Sequence, residues 1–260
     1  MYIIAGVAIA ATRLPRFSER SKALQIIAFS VGLAGLIWHG RALVDLIVLP
    51  DGIALSLSST ASFIGLQLAL IAVFGAIEPT LRGLAGGLFL LGAGAAAATG
   101  LQVPAGAGQT LAWQMQVHIV VSLFAYGLLT VGAIVAVYSL IQDRRLHAGR
   151  LSTVNRLFAP LETTEKLLYG IAGAGFSALL LAVLSGFVFV DDLFAQHLVH
   201  KTFLSILALV LFGVLLGGRQ FAGWRGRRAV YLYLWGFAIL CLAYFGSRYI
   251  LEQVLGRSWG

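Results

Sequence analysis

Charge is what this sequence lacks most. Only 11% of its 260 residues are charged and 60% are hydrophobic, whereas a soluble domain carries about 25% charged residues. That composition excludes a soluble enzyme or soluble binding module and requires a protein solvated by lipid. Cysteine is nearly absent. Cys241 stands alone inside an apolar run, which excludes an intrachain disulfide and a CxxC redox or haem-attachment motif, and reads as a small hydrophobe. There is no HExxH, GxSxG, P-loop or paired-carboxylate pattern, so an enzyme in the usual sense is not expected. No alternating ten-residue pattern supports a barrel. Nothing positive precedes Met1–Ala11 and no small-residue cleavage pattern follows, so a signal peptide is not expected. That first run is itself shorter than the roughly 20 residues a spanning helix needs.

What is present is a series of apolar segments near 1–12, 23–48, 59–77, 82–100, 111–141, 166–190, 202–218 and 229–253. In lipid each must satisfy its own backbone polar groups, so each is expected to be a helix. The expected fold is all-α: a polytopic membrane helix bundle of about eight transmembrane helices, with 1–260 forming a single integral-membrane domain. The net charge of +8 is no sign of nucleic-acid binding, because the basic residues sit in short connections. Arg13, Arg16, Arg20, Lys22, Arg82, Arg144, Arg145, Arg150, Arg156, Lys166, Arg219, Arg225, Arg227 and Arg228 fall in the odd-numbered connections, leaving Arg41, Lys201, Arg248 and Arg257 on the other side. The positive-inside rule then places both termini outside. The loop 191–201 faces out, and the turn Gly223-Trp224-Arg225-Gly226-Arg227-Arg228 faces the cytoplasm. The connection 143–165 carries Val154, Leu157, Phe158 and Leu161 at helical spacing and reads as an amphipathic helix on the cytoplasmic surface, broken by Pro160.

Small residues at Gly83-xxx-Gly87 and Gly213-xxx-Gly217 have the spacing of close helix packing. Tyr231, Tyr233 and Trp235, with Tyr244 and Tyr249 at the other end of segment eight, read as interfacial anchors. A small-solute transporter is disfavoured, since no paired discontinuous helices occur in matching halves.

Polar groups within spans are costly and carry the functional hypotheses. Segment five offers Gln114, His118, Ser122, Tyr126 and Thr130 at spacing four, expected along one helix face. His118 lies about 10 Å in from Leu111 at 1.5 Å per residue. Segment two carries His39, and Arg41 and Asp45 can pair four apart. The outer half therefore collects His39, His118, His197 and His200, with only His147 facing the cytoplasm. Histidine is a common metal ligand, and haem iron takes axial histidines. Each lone histidine has the alternative of hydrogen-bonded helix packing. His197 and His200, three apart, could also hold a divalent ion with Asp192. Arg41, Lys201 and Arg248 are available as cations for haem propionates.

Two stretches carry a family resemblance: His118-IVVSLFAYG, and GWRGRRAVYLYLWGFAILCLAYFGSR from Gly223. They resemble the membrane core of the cytochrome c assembly protein family, the CcsA/CcmC-type haem handlers. Over most of the chain the sequence is more similar to the shorter HemX/YpjD-like branch, including LPDG at Leu49–Gly52, PLETTEKLLYG at Pro160–Gly170 and His200-Lys201. Larger members hold haem against a tryptophan-rich outward loop, the WWD motif, flanked by histidines, and deliver it to apocytochrome c. Here His118 matches the histidine at the head of segment five. The loop reads DDLFAQHLVHKTF without tryptophan, Gly217 stands where larger members carry a histidine, and the tail after segment eight has none. The resemblance implies a haem-handling accessory protein of cytochrome c assembly in the bacterial cytoplasmic (inner) membrane. Haem b would be the cofactor, with His118 as one axial ligand and His200 or His39 as the other. Partners would be haem, the lipid bilayer and other cytochrome c assembly or tetrapyrrole-synthesis proteins, with no nucleic acid. The HemX name implies an alternative: a membrane regulator of tetrapyrrole synthesis that acts through its cytoplasmic face and binds no haem.

Overall fold

A backbone in hydrocarbon finds no water to bond, and among the described residues this chain answers by being helical almost everywhere. The computed structural model describes residues 1–50, 52–53, 56–98, 111–147, 160–189 and 199–246. The helices are α1 (Tyr2–Ala11), α2 (Ser21–Ile47), α3 (Leu57–Ile77), α4 (Arg82–Ala98), α5 (Trp113–His147), α6 (Leu161–Phe189), α7 (Val199–Ala222) and α8 (Arg227–Cys241). A 3₁₀ turn, Pro15–Arg20, leads into α2, and a π-helical turn, Leu242–Gly246, follows α8. The polytopic helical bundle read from hydropathy is the observed fold.

By length and composition, six helical stretches among the described residues can cross a membrane: Pro15–Ile47, Ser58–Ile77, Trp113–His147, Leu161–Phe189, Val199–Ala222 and Arg227–Gly246. The apolar helices Tyr2–Ala11 and Arg82–Ala97 are shorter than that. Large apolar side chains such as Trp38 and Val188 lie exposed on the spans, a surface suited to lipid rather than water.

The observed helices outrun the apolar segments at their polar ends. α5 continues past 141 to His147, with Arg144, Arg145 and His147 in its last turn. α7 reaches Ala222, beyond 218, with Arg219 in its last turn, and α6 starts at Leu161, before 166, with Glu162 in its first turn. Basic side chains at a C-terminus and acidic ones at an N-terminus complement the helix dipole. Hydropathy marks only the part of a helix in hydrocarbon. The connection between α2 and α3 holds a small antiparallel hairpin, with Val48 opposite Ile53 and Leu49 opposite Gly52. Beyond it Ser56 caps α3: the Ser59 amide donates to Ser56 Oγ at 3.0 Å, and the Ser56 amide to Ser59 Oγ at 2.8 Å. The surface-helix reading of 143–165 lies, from 148 to 159, outside the described residues.

The chain divides into two compact units. The first is Met1–Leu111 with Ile141–Thr164, the second Ala112–Leu140 with Glu165–Gly260. In the first, α1 packs on α2 and α4, and α3 on α2 and α4. The close approach of α1 and α4 uses Gly86, next to the expected Gly87. A methyl group on Gly6 would meet the Gly86 carbonyl oxygen at 3.0 Å, and one on Gly86 the Gly6 carbonyl oxygen at 3.1 Å, while Gly87 has open space around it. α3 and α4 meet likewise, a methyl on Gly92 reaching the Gly65 carbonyl oxygen at 3.1 Å. Arg13 donates to the Pro79 carbonyl at 2.9 Å and Arg82 to Gln25 Oε1 at 2.8 Å. Basic residues of the first and third connections thus share one end of this unit.

In the second unit α7 packs on α8. Tyr233 is no interfacial anchor. It is fully buried, its ring lies over Gly132, and its hydroxyl donates to the Leu129 carbonyl at 3.0 Å. Residues two apart on a helix point to opposite sides, so Tyr231 and Trp235 are exposed while Tyr233 faces α5. Tyr244 also packs inward, its ring centroid 5.6 Å from that of Tyr126. Tyr249 lies outside the described residues. The Gly213 position meets Phe176 at ordinary contact distance, and Gly217 only Phe221 of its own helix.

The GWRGRR turn is a clasp. Gly223 and Gly226 take φ of +61° and +64°, a region that favours glycine. The Trp224 ring folds onto Gly218, where a side chain would collide with it. The Trp224 amide donates to the Gly218 carbonyl at 3.0 Å, and the Trp224 carbonyl accepts from the Tyr169 hydroxyl at 2.6 Å. Arg219 pairs with Glu165 at 2.9 Å and lies 4.7 Å over the Tyr169 ring.

Candidate functional site

Each unit carries one buried or half-buried histidine at the end away from these arginines, and the two are held differently. His39, near the end of α2, is 6% exposed. Its Nδ1 lies 3.2 Å from the Tyr2 hydroxyl and its Nε2 2.7 Å from Ser62 Oγ. The Tyr2 ring also meets it edge-on, with centroids 5.7 Å apart. Both ring nitrogens are therefore engaged, by α1 on one side and α3 on the other. A histidine so held ties three helices together.

His118 stands in the second turn of α5 and is half-buried. Its Nδ1 lies 2.9 Å from Ser185 Oγ on α6, and Ser185 Oγ donates in turn to the Ala182 carbonyl at 2.9 Å. Among the described side chains none bonds Nε2, and the Ala182 carbonyl lies close enough to act on the ring. The ring edge lies against Gly186, where a Cβ would meet His118 Cε1 at 3.2 Å. At the same end, Trp113 of α5 and Phe189 of α6 bring their rings to 6.2 Å. Lys201, at the start of α7, is close enough for its charge to act on the His118 ring, and its Nζ lies 5.5 Å from the Tyr244 ring centroid.

The stripe expected along α5 does not act as one face. Spacing four advances about 40° per step beyond a full turn, so His118 is bonded to α6 while Tyr126, two steps on, donates to the Leu240 carbonyl of α8 at 2.9 Å. Thr130 turns back to the Tyr126 carbonyl at 2.7 Å. Arg41 and Asp45 form the expected pair at 3.0 Å, on an exposed surface of α2.

His200 is exposed in the first turn of α7. His197, Asp192 and the rest of the outward loop, like Arg248, lie outside the described residues. His147 closes α5, its Nδ1 2.9 Å from the Asp143 carbonyl oxygen. Among the described residues no group of three metal-ligating side chains assembles. A conventional divalent-ion cage has no support there, whereas haem asks the protein for only one or two axial donors. The second unit has features that fit haem: an imidazole nitrogen with no side-chain partner among the described residues, an aromatic pair at the same end of the helices, and a lysine within electrostatic reach. Sequence reasoning missed Tyr2, Ser62, Ser185, Gly186, Trp113 and Phe189. The available signal was weak: a serine in an apolar run needs a partner, but the run does not name it.

Known proteins agree with this reading of the scaffold. Residues 29–255 match the family model described as cytochrome C assembly protein. The chain belongs to that family. The matched span contains His39, His118, His197 and His200, though not Tyr2. Among relatives of this assembly family, the inner membrane protein YpjD of Escherichia coli is 38% identical over 141 residues, 54% of this chain and 53% of that protein. An Azospirillum brasilense protein of 28.8 kDa is 31% identical over 173 residues, 65% of this chain and 64% of its own. The cytochrome c biogenesis protein CcsA of Guillardia theta is 23% identical over 164 residues, 56% of this chain and 54% of its own. The chain thus spans between about half and two thirds of the length of these curated relatives. No solved structure gives a significant match.

Proposed function

We propose that this protein is a haem-handling accessory protein of cytochrome c assembly in the bacterial inner membrane. In this reading both units belong to one integral-membrane domain, both termini face outward, and the histidine ends lie toward the outer surface. The observation that carries it is His118: an imidazole within a span, one nitrogen fixed by Ser185 and the other with no side-chain partner among the described residues. His118 Nε2 would hold the haem iron, with His200 of the same unit as the candidate second ligand. Trp113 and Phe189 offer the ring an apolar edge, and Lys201 offers a propionate its charge. Haem b, when bound, supplies an iron that accepts the imidazole lone pair. This chain's residues orient that lone pair, through Ser185 at Nδ1. His39, whose nitrogens are both engaged, serves packing in this reading. Other cytochrome c assembly or tetrapyrrole-synthesis proteins are the proposed partners.

The test is the absorption spectrum of detergent-purified protein loaded with haemin, before and after dithionite, beside His118→Ala. The expected result is a Soret band with sharp reduced α and β bands, lost in the variant. A band that survives His118→Ala unchanged removes His118 from the site. No band in either protein removes haem from the account.

A further inference from the structure

The hydrogen-bond chain behind His118 has a direction, and that direction decides which nitrogen is available. Ser185 has one hydroxyl proton. Two arrangements fit the 2.9 Å separations to His118 Nδ1 and to the Ala182 carbonyl oxygen. In the first, Ser185 donates to Ala182 and accepts from His118 Nδ1–H, making two bonds in series and leaving Nε2 as a bare lone pair. In the second, Ser185 donates to Nδ1, makes one bond, and leaves an Nε2–H donor in a span with no acceptor among the described side chains. A carbonyl oxygen can only accept, so Ala182 favours the first arrangement. The outcome at Nε2 favours it too, since an orphaned N–H in an apolar setting is rarer than an unfilled acceptor. Bonds in series also polarise one another.

We infer that Ser185, anchored on the Ala182 carbonyl, is a positioning residue that holds His118 in the Nδ1–H tautomer with Nε2 bare and ready to bind a metal, and that Gly186 lets the ring approach closely enough to do so. A free neutral imidazole prefers the opposite tautomer, with the proton on Nε2, which blocks ligation through that atom. Ser185 reverses that preference. Gly186 contributes by absence: a Cβ there would crowd Cε1 at 3.2 Å and push the ring off Ser185. Outer groups that bond the second nitrogen of a ligating histidine fix its tautomer and orientation in metal sites generally. Here that partner is a neutral hydroxyl tied to its own helix. The tautomer statement stands on the hydrogen bonds alone, and only its consequence for ligand affinity rests on the haem-handling reading.

The experiment reads the two apart. The full chain, labelled with ¹⁵N-histidine, is examined by NMR in detergent without haemin at neutral pH, with the His118 signals assigned by their loss in His118→Gln. The wild type is expected to show a protonated Nδ1 and an unprotonated Nε2. Ser185→Ala should move the ring toward the Nε2–H form, and Ser185→Thr, which keeps the hydroxyl, should restore the wild-type pattern. Haemin titration should then give an affinity about 10–100-fold weaker in Ser185→Ala, with Ser185→Thr near wild type. Gly186→Ala should fall between them. A wild-type His118 already protonated on Nε2, or a tautomer unmoved by Ser185→Ala, overturns the inference. A tautomer that moves as expected in a protein that binds no haemin upholds Ser185 as the positioning residue and removes the haem reading instead.

Discussion

His39 and His118 are the same residue type set in helical spans, and their surroundings make them opposites. His39 is bonded on both nitrogens, by Tyr2 and Ser62, and is almost fully buried. Among the described side chains His118 is bonded on one, by Ser185, and it is only half-buried. A neutral imidazole has one donor and one acceptor. Two partners use both and leave packing as the role; one partner leaves a single atom for chemistry. Ligand potential in a membrane histidine therefore follows from the count of its partners more than from its depth in the span.

Stability measurements should separate the two sites. The largest effect is expected for His39→Ala, which leaves the Tyr2 and Ser62 hydroxyls without their partner and opens a space between three helices. Leaving buried polar groups unsatisfied costs about 1–3 kcal/mol each, so a loss on the order of 3 kcal/mol should appear in thermal unfolding in detergent, with haemin binding retained in the folded fraction. Ser62→Ala removes one bond from His39 Nε2 and should lower stability by about 1–2 kcal/mol in the same assay. His118→Ala should change it least, by less than about 1 kcal/mol, because the ring is half-exposed and Ser185 keeps its bond to Ala182. If His118→Ala unfolds the protein as readily as His39→Ala, the division of roles is lost.

Much of the scaffold was legible in the sequence because lipid leaves few choices. A long apolar run must become a helix, and the eight apolar segments correspond to α1–α8. The pair Arg41–Asp45 was legible for the same reason, since helix spacing fixes who meets whom. What escaped depended on partners far apart in the chain. Tyr2 and Ser62 stand 37 and 23 positions from His39, and Ser185 stands 67 from His118. Nothing in the local pattern of α2 or α5 states those distances. Glycine spacing singled out Gly83 and Gly87, whereas the contact uses Gly86 against Gly6, because which face of α4 meets α1 is a property of the packed helices. Tyr233 was misplaced by its neighbours: Tyr231 and Trp235 point to lipid, and a residue between them on a helix points inward. The GWRGRR motif carried the family resemblance, and its structural content, two left-handed glycines and a tryptophan seated on Gly218, became visible only with the fold.

The central claim is that His118 ligates and His39 packs, and one measurement addresses it directly. Haemin-loaded His118→Gly and His39→Gly are prepared in detergent, and their reduced spectra are recorded with and without added imidazole. The account predicts that His118→Gly loses the sharp α and β bands and regains them when imidazole fills the vacated position, while His39→Gly keeps them without imidazole. Bands lost in folded His39→Gly and kept in His118→Gly would contradict it.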